Sequence, residues 1–163
     1  MIVMNIGSNL NSIYGTRFDN IKKSISFLIQ YKIKILKISS FYETPSYPNS
    51  NYPKFINITV TVDFKKSVIE LLKIIKIIEK KMGRISNFKN QPRVCDIDII
   101  DFNKLIINKK KLQIPHKMAH LRNFVLYPLK EIFPNWRHPI SNKTINALIK
   151  NLSIKMRNEI TRL

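Results

Sequence analysis

The run Pro92-Arg93-Val94-Cys95-Asp96-Ile97-Asp98-Ile99-Ile100-Asp101-Phe102 reads as a β-strand, the last in a strand, helix, strand, strand, helix, strand series. Three of the chain's ten Asp and Glu residues fall inside it, against twenty-nine Lys and Arg overall. On a strand, Asp96 and Asp98 project from one face and Ile97 and Ile99 from the other. Two convergent carboxylates suit Mg2+, because hard cations take oxygen ligands. Taken alone, the run reads equally well as a solvated acidic edge strand. Asp101 has the opposite parity and is expected to stand apart from the pair while the strand stays regular.

Upstream, Ile2–Ile6 reads as a strand closed by the turn signal Gly7-Ser8-Asn9. Phe18, Ile21, Ile25 and Leu28 recur at helical spacing, so about 16–30 is an amphipathic helix. Ile33 to Tyr42 reads as one strand. Residues 44–54 hold three prolines and form a loop. Phe55–Phe64, rich in Ile, Val and Thr, is the third strand. Ser67-Val68-Ile69-Glu70 is a capping box ahead of an apolar pattern that runs to Met82 and stops at Gly83. Residues 84–93 form a second polar loop. After the acidic strand, Asn103-Lys104 is expected to turn the chain into a short hairpin partner at 105–107. Short helices are expected around 117–121, 128–132 and 142–151. The order gives an α+β fold, a ferredoxin-like antiparallel sheet with helices packed on it and a short C-terminal helical extension.

At 163 residues the chain reads as one domain, 1–163, able to bury a core. No apolar run is long enough to span a bilayer, and the first residues read as a strand rather than a signal peptide. Cys95 is the only cysteine, which excludes an intramolecular disulfide and a Cys-based zinc site and fits a reducing cytoplasm. The net charge of +19 invites a nucleic-acid or polyphosphate partner. The lysines are spread along a chain rich in Ile, Lys and Asn, however, which points mainly to compositional drift.

Only Gly7, Gly15 and Gly83 are present, so P-loop, kinase-loop and dinucleotide fingerprints are absent. Any bound phosphates must be held by side chains. Arg84, Lys89, Arg93, Lys111, His116 and Arg122 are the cationic candidates near the acidic strand, and Arg forks match phosphate oxygens. His116 and His120 stand four apart but lack the Glu of a metalloprotease helix and a third ligand close by. Trp136 and His138 read as packing or surface residues. A nucleic-acid-binding ferredoxin-like module would carry an aromatic-rich strand signature of the RNA-recognition type, and no such run exists here.

Seven segments occur together in order: Ile6-Gly7-Ser8-Asn9-Leu10; Ser39-Ser40-Phe41-Tyr42-Glu43-Thr44-Pro45; Phe55-Ile56-Asn57; Ile78-Glu79 with Gly83-Arg84; Pro92-Arg93 with Asp96-Ile97-Asp98-Ile99; Ile114-Pro115-His116; and Arg122 to Leu129. In these the chain resembles the 6-hydroxymethyl-7,8-dihydropterin pyrophosphokinases over essentially its full length. The resemblance implies pyrophosphoryl transfer from ATP to the hydroxymethyl dihydropterin in folate biosynthesis, releasing AMP. It implies that Asp96 and Asp98 bind two Mg2+ ions and act in catalysis with Arg84 and Arg93. Arg84, Arg93, Ile99, Lys111, His116 and Arg122 would hold ATP. Thr44, Pro45, Tyr47, Phe55, Asn57, Asp96 and Phe124 would hold the pterin, with Phe55 and Phe124 on its two faces and Asn57 on its edge. Glu79 would stand behind, near Arg84. Small molecules are then the expected partners and a monomer the expected state. Neither a membrane nor nucleic acid is expected, and an inactive relative is disfavoured by the intact Asp96, Asp98, Arg84, Arg93, His116 and Asn57. Asn90 and Gln91 replace a Trp-Gly often found there, the 84–93 loop is one residue shorter than usual, and Lys117 replaces a Tyr.

Overall fold

The computed structural model describes residues 1–84, 91–110 and 112–163. The expected Lys89 and Lys111, and the substituted Asn90, lie outside the described residues.

Four strands carry the sheet: β1 (Ile2–Ser8), β2 (Lys34–Ile38), β4 (Phe55–Asp63) and β5 (Asp96–Phe102). Strand β1 lies between β4 and β5, β4 also pairs with β2, and all pairings are antiparallel. This is the strand order of the ferredoxin-like fold. Two helices cover one face: α1 (Arg17–Gln30) and α2 (Val68–Lys81). Each begins with a full capping box, Thr16 with Asp19 and Ser67 with Glu70, so two orphan N–H groups are satisfied at each start. Gly83 stands at φ +89 just past the end of α2, the left-handed stop expected of a glycine there.

Strand β4 shows how the sequence assigns its two faces. Ile56, Ile58, Val60 and Val62 bury against α1 and α2 with Ile21, Leu28, Leu71, Ile75 and Ile78. Asn57, Thr59 and Thr61 face the other way and are also buried. That second face is covered by α3 (Asn123–Ile132) and α4 (Ile145–Lys150), whose Val125, Leu126, Leu129, Ile145 and Leu148 pack with Val3, Ile100 and Trp136. The second face is therefore apolar at one end of the sheet and polar at the other, and the polar end holds Asn57, Asp96 and Asp98.

The structure differs from the sequence reading in four places. The strand expected at 33–42 is two: β2, and β3 (Tyr42–Thr44), which pairs with Phe55–Asn57. Between them Ser39 makes the ladder bonds itself, its Oγ accepting from Thr59 N at 3.0 Å and its N donating to Thr59 O at 3.0 Å. Asn103 and Lys104 do form a turn, both with positive φ. The chain then builds a separate hairpin from β6 (Ile107–Lys109) and β7 (Leu112–Ile114), rather than a partner for β5 at 105–107. The C-terminal region starts its main helix at Asn123, with a 3-10 turn at Ala119–Leu121 before it. It then adds α5 (Ile154–Asn158) and a strand, β8 (Thr161–Arg162), that pairs with β3. Finally, β5 is not regular: the register against β1 slips between Val3 and Met4, leaving Ile100 as the extra residue. The bulge reverses the parity after Ile100 and brings Asp101 to the face of Asp96 and Asp98. There it is committed to structure, accepting from Trp136 Nε1 at 2.9 Å and Lys104 N at 2.9 Å.

Candidate active site

Register places the site residues before any side chain is considered. Gly7 in β1 lies opposite both Asp96 and Asn57, and Asn5 lies opposite both Asp98 and Thr59. Directly opposed residues share a face, so the acidic pair and the Asn57 amide stand on either side of β1 on one face of the sheet. Gly7 is the spacer between them. A Cβ on it would come within 2.8 Å of Asn57 Oδ1 and 3.4 Å of the Phe55 ring. Gly7→Ala is therefore expected to displace Asn57 and to cost about 1–3 kcal/mol of stability by overpacking, read as a lowered thermal midpoint.

The carboxylates are ringed by cations. Asp96 Oδ1 accepts from Arg84 at 2.6 Å and its Oδ2 pairs with Arg93 at 2.6 Å. Asp98 Oδ2 pairs with Arg122 at 3.3 Å, and His116 Nε2 lies 3.8 Å away. Buried Glu79 anchors Arg84 from behind, accepts from Ile97 N at 3.1 Å and from Lys76 at 2.7 Å. Arg93 Nε is buried without a hydrogen-bond partner among the described residues. The arginines reach sideways as well: the Arg93 guanidinium lies 5.2 Å from the Phe55 ring centroid and that of Arg122 lies 5.4 Å from Phe124. Each thus bridges one carboxylate and one aromatic.

The two acids are not equivalent. Burial acts to raise Asp96, but Arg93 and Arg84 outweigh it and hold the carboxyl below the usual range. Burial and the neighbouring Asp96 charge push Asp98 up to about 7, with Arg122 only partly offsetting them. Burial and then Arg122 press His116 down to about 4, so it is neutral at physiological pH. Its Nδ1 accepts from Met118 N at 3.1 Å, which leaves the proton on Nε2, facing Asp98.

Beside this cluster lies the aromatic and amide slot. Asn57 is 3 % exposed and its Nδ2 donates to Thr44 Oγ1 at 3.3 Å. Thr44 is buried, Phe55 and Phe124 are half-buried, and Pro45 is half-buried beyond them. The Tyr47 side chain is 87 % exposed, so only its backbone could serve the slot. Ile99 points into the helical core instead, leaving its backbone for any contact. Asn9 ties the surrounding loops together: its Oδ1 accepts from Arg93 N at 2.6 Å, and its Nδ2 donates to Ser46 Oγ at 3.2 Å and Pro53 O at 3.1 Å. In the sequence Asn9 stands in a turn signal and in the segment Ile6-Gly7-Ser8-Asn9-Leu10, with no role of its own. His138 packs edge-to-face with Trp136 and with His120, in keeping with a packing role for His138 and Trp136.

Three described carboxylates and three guanidiniums already balance one another here, so a triphosphate could enter only with further cations. Among the described residues no cluster of three or more His, Cys, Asp or Glu could enclose a metal ion. Asp96 and Asp98 offer two carboxylates and no more. That donor set fits Mg2+, which keeps several waters and shares its shell with substrate phosphates.

An acidic pair ringed by arginines stands beside two aromatics and a buried amide on one face of a ferredoxin-like sheet. A family model described as 7,8-dihydro-6-hydroxymethylpterin-pyrophosphokinase matches residues 3–134. The 2-amino-4-hydroxy-6-hydroxymethyldihydropteridine pyrophosphokinase of Aquifex aeolicus is 37 % identical over 154 residues, covering 94 % of this chain and 93 % of that protein. The folic acid synthesis protein of Dictyostelium discoideum is 40 % identical over 152 residues; the chain spans 22 % of its length. A crystal structure of the Plasmodium falciparum HPPK-DHPS with pteroate superposes with a TM-score of 0.71 at 19 % identity, over 99 % of this chain and 45 % of that one, and supports the fold. The chain belongs to the 7,8-dihydro-6-hydroxymethylpterin-pyrophosphokinase family, whose members are transferases of folate synthesis.

Proposed function

We propose that this chain transfers the pyrophosphoryl group of ATP to 6-hydroxymethyl-7,8-dihydropterin. The pterin hydroxyl attacks the β-phosphorus, the bond to the α-phosphate oxygen breaks, AMP leaves, and the hydroxyl proton is released. The observation that carries this reading is the convergence of Asp96, Asp98, Arg84, Arg93, Arg122 and His116 at the sheet end that also holds Phe55, Asn57 and Phe124. Two Mg2+ ions held by Asp96 and Asp98 would neutralise phosphate charge and align the displacement.

The protein's own residues do the rest. Arg84 and Arg93 leave Asp96 for phosphate oxygens, exchanging one anionic partner for another, while Glu79 keeps Arg84 oriented. Buried Arg93 Nε, which has no partner among the described residues, gains an acceptor in the same move. His116 donates from Nε2 and Arg122 supplies a further cation. As Arg93 and Arg122 leave the faces of Phe55 and Phe124, the pterin ring takes their place, and Asn57 reads its edge with Thr44. Lys111 is assigned to the ATP side as well. The catalytic acceleration in this scheme is positioning and electrostatics, as phosphoryl-type transfers demand.

Among the described residues no helix is long and apolar enough to cross a membrane. The reading is of a monomeric cytoplasmic enzyme acting on small molecules, not on nucleic acid. AMP release from Mg-ATP, measured with and without the dihydropterin, tests the central claim. Pterin-dependent AMP without ADP is expected. Pterin-independent hydrolysis, or ADP as the product, would overturn it.

A further inference from the structure

Helix α3 contains a buried proline at its sixth position, Pro128. Proline has no N–H, so the carbonyl four residues earlier, that of Phe124, has no helical donor. A carbonyl left in that state inside a fold must find another partner. It finds Asn5 of the central strand, whose Nδ2 donates to Phe124 O at 3.0 Å. The same amide nitrogen donates to Ile58 O at 2.9 Å and reaches Thr59 Oγ1 at 3.3 Å. Asn5 is 4 % exposed. The Phe124 N–H is likewise held by a side chain, donating to Asn123 Oδ1 at 2.7 Å, and Asn123 Nδ2 donates to Met156 O at 2.7 Å. Both backbone groups of Phe124 are thus fixed from outside the helix ladder.

We infer that Asn5 is a positioning residue for the pterin slot. By supplying the donor that Pro128 withholds, it fastens the first turn of α3 to β4 beside Asn57 and so fixes where the Phe124 ring stands. The inference rests on the pterin reading above. Asn5 touches neither substrate nor phosphate in this role; it acts through Phe124.

Four proteins test it: wild type, N5A, P128A and N5A/P128A. Dissociation constants are measured for the dihydropterin and for a non-hydrolysable Mg-ATP analogue, with thermal midpoints alongside. N5A is expected to weaken pterin affinity about tenfold while leaving nucleotide affinity nearly unchanged. P128A is expected to bind both ligands like wild type. In N5A/P128A the new N–H of residue 128 completes the helix ladder at Phe124 O, so most of the pterin affinity should return. A role in general packing predicts the opposite, additive losses in the double variant. Wild-type pterin affinity in N5A, equal losses of both ligands, or an additive double variant would each overturn the inference alone. A wild-type protein that does not bind the pterin would overturn the functional reading and this role with it. Should N5A fail to fold, a folded, pterin-binding N5A/P128A supports the role, and a double variant that also fails to fold overturns it.

Discussion

Asp96→Asn and Asp98→Asn are each expected to lower turnover by at least about a hundredfold while the protein stays folded. The substitution keeps side-chain shape and removes the negative charge that a cation needs. Arg84 keeps Glu79 as a partner, and Arg93 keeps its bond to Gln91 O at 3.2 Å and the amide oxygen of the new side chain as an acceptor. Turnover near wild type in either variant, with a normal thermal midpoint, would remove these residues from the metal-binding role. The pair also carries a pH signature. Asp98, pushed up to about 7, is partly protonated at neutral pH, and a cation must displace that proton. Apparent Mg2+ affinity should therefore fall as pH drops through about 7. The stability effect has the opposite sense. Folding favours the protonated Asp98, so its contribution is fully present below about pH 4 and is lost as pH rises through 7. A metal requirement that is flat between pH 6 and 8 would count against Asp98 as a ligand.

Asn57→Ala is expected to raise the pterin dissociation constant by about two orders of magnitude or more and to leave ATP binding nearly unaltered. A planar heterocycle offers paired donors and acceptors along one edge, and an amide answers both. Deleting it leaves those groups desolvated and unpaired, which is costlier than losing apolar contact. Thr44 then loses its partner as well. Titration of each ligand separately checks the result. Equal weakening of both ligands would mean that Asn57 supports the fold of the slot instead of reading the pterin.

The parts legible in the sequence were those whose signals are local. The capping box at Ser67 is complete within four residues, and the Ile, Val and Thr content of Phe55–Phe64 marks a strand by itself. The Asp96 and Asp98 parity held because that half of β5 is regular. Asp101 was misplaced because the bulge at Ile100 depends on the register against β1, which no local pattern encodes. The break at Ser39 arises where a hydroxyl replaces a backbone acceptor across the sheet, again a partner far away in sequence. Strand β8 exists only through its pairing with β3, and its two residues carry no periodicity to read. Asn5 shows the same limit from another side. Its neighbours Met4 and Ile6 mark a strand clearly, yet the reason for an amide there sits at Pro128, more than a hundred residues on. The arginine ring was visible as separate cations; the sequence could not show that Arg93 and Arg122 also cover the two aromatics.

Strand β8 has a practical consequence. Thr161 and Arg162 lie along Glu43 and Tyr42, Leu163 N donates to Phe41 O, and Arg162 reaches Ser40 and Glu131. An affinity tag fused after Leu163 would leave the molecule beside Phe41 and Ser40, at the end of β3 away from Thr44, and would pull on the β8 pairing. A tag ahead of Met1 would leave from the far end of β1, where the amino group meets Asn103. Purification handles, surface-immobilisation chemistry and fluorescent fusions for this protein therefore belong at the N-terminus, where they do not compete with the β3–β8 strand pairing.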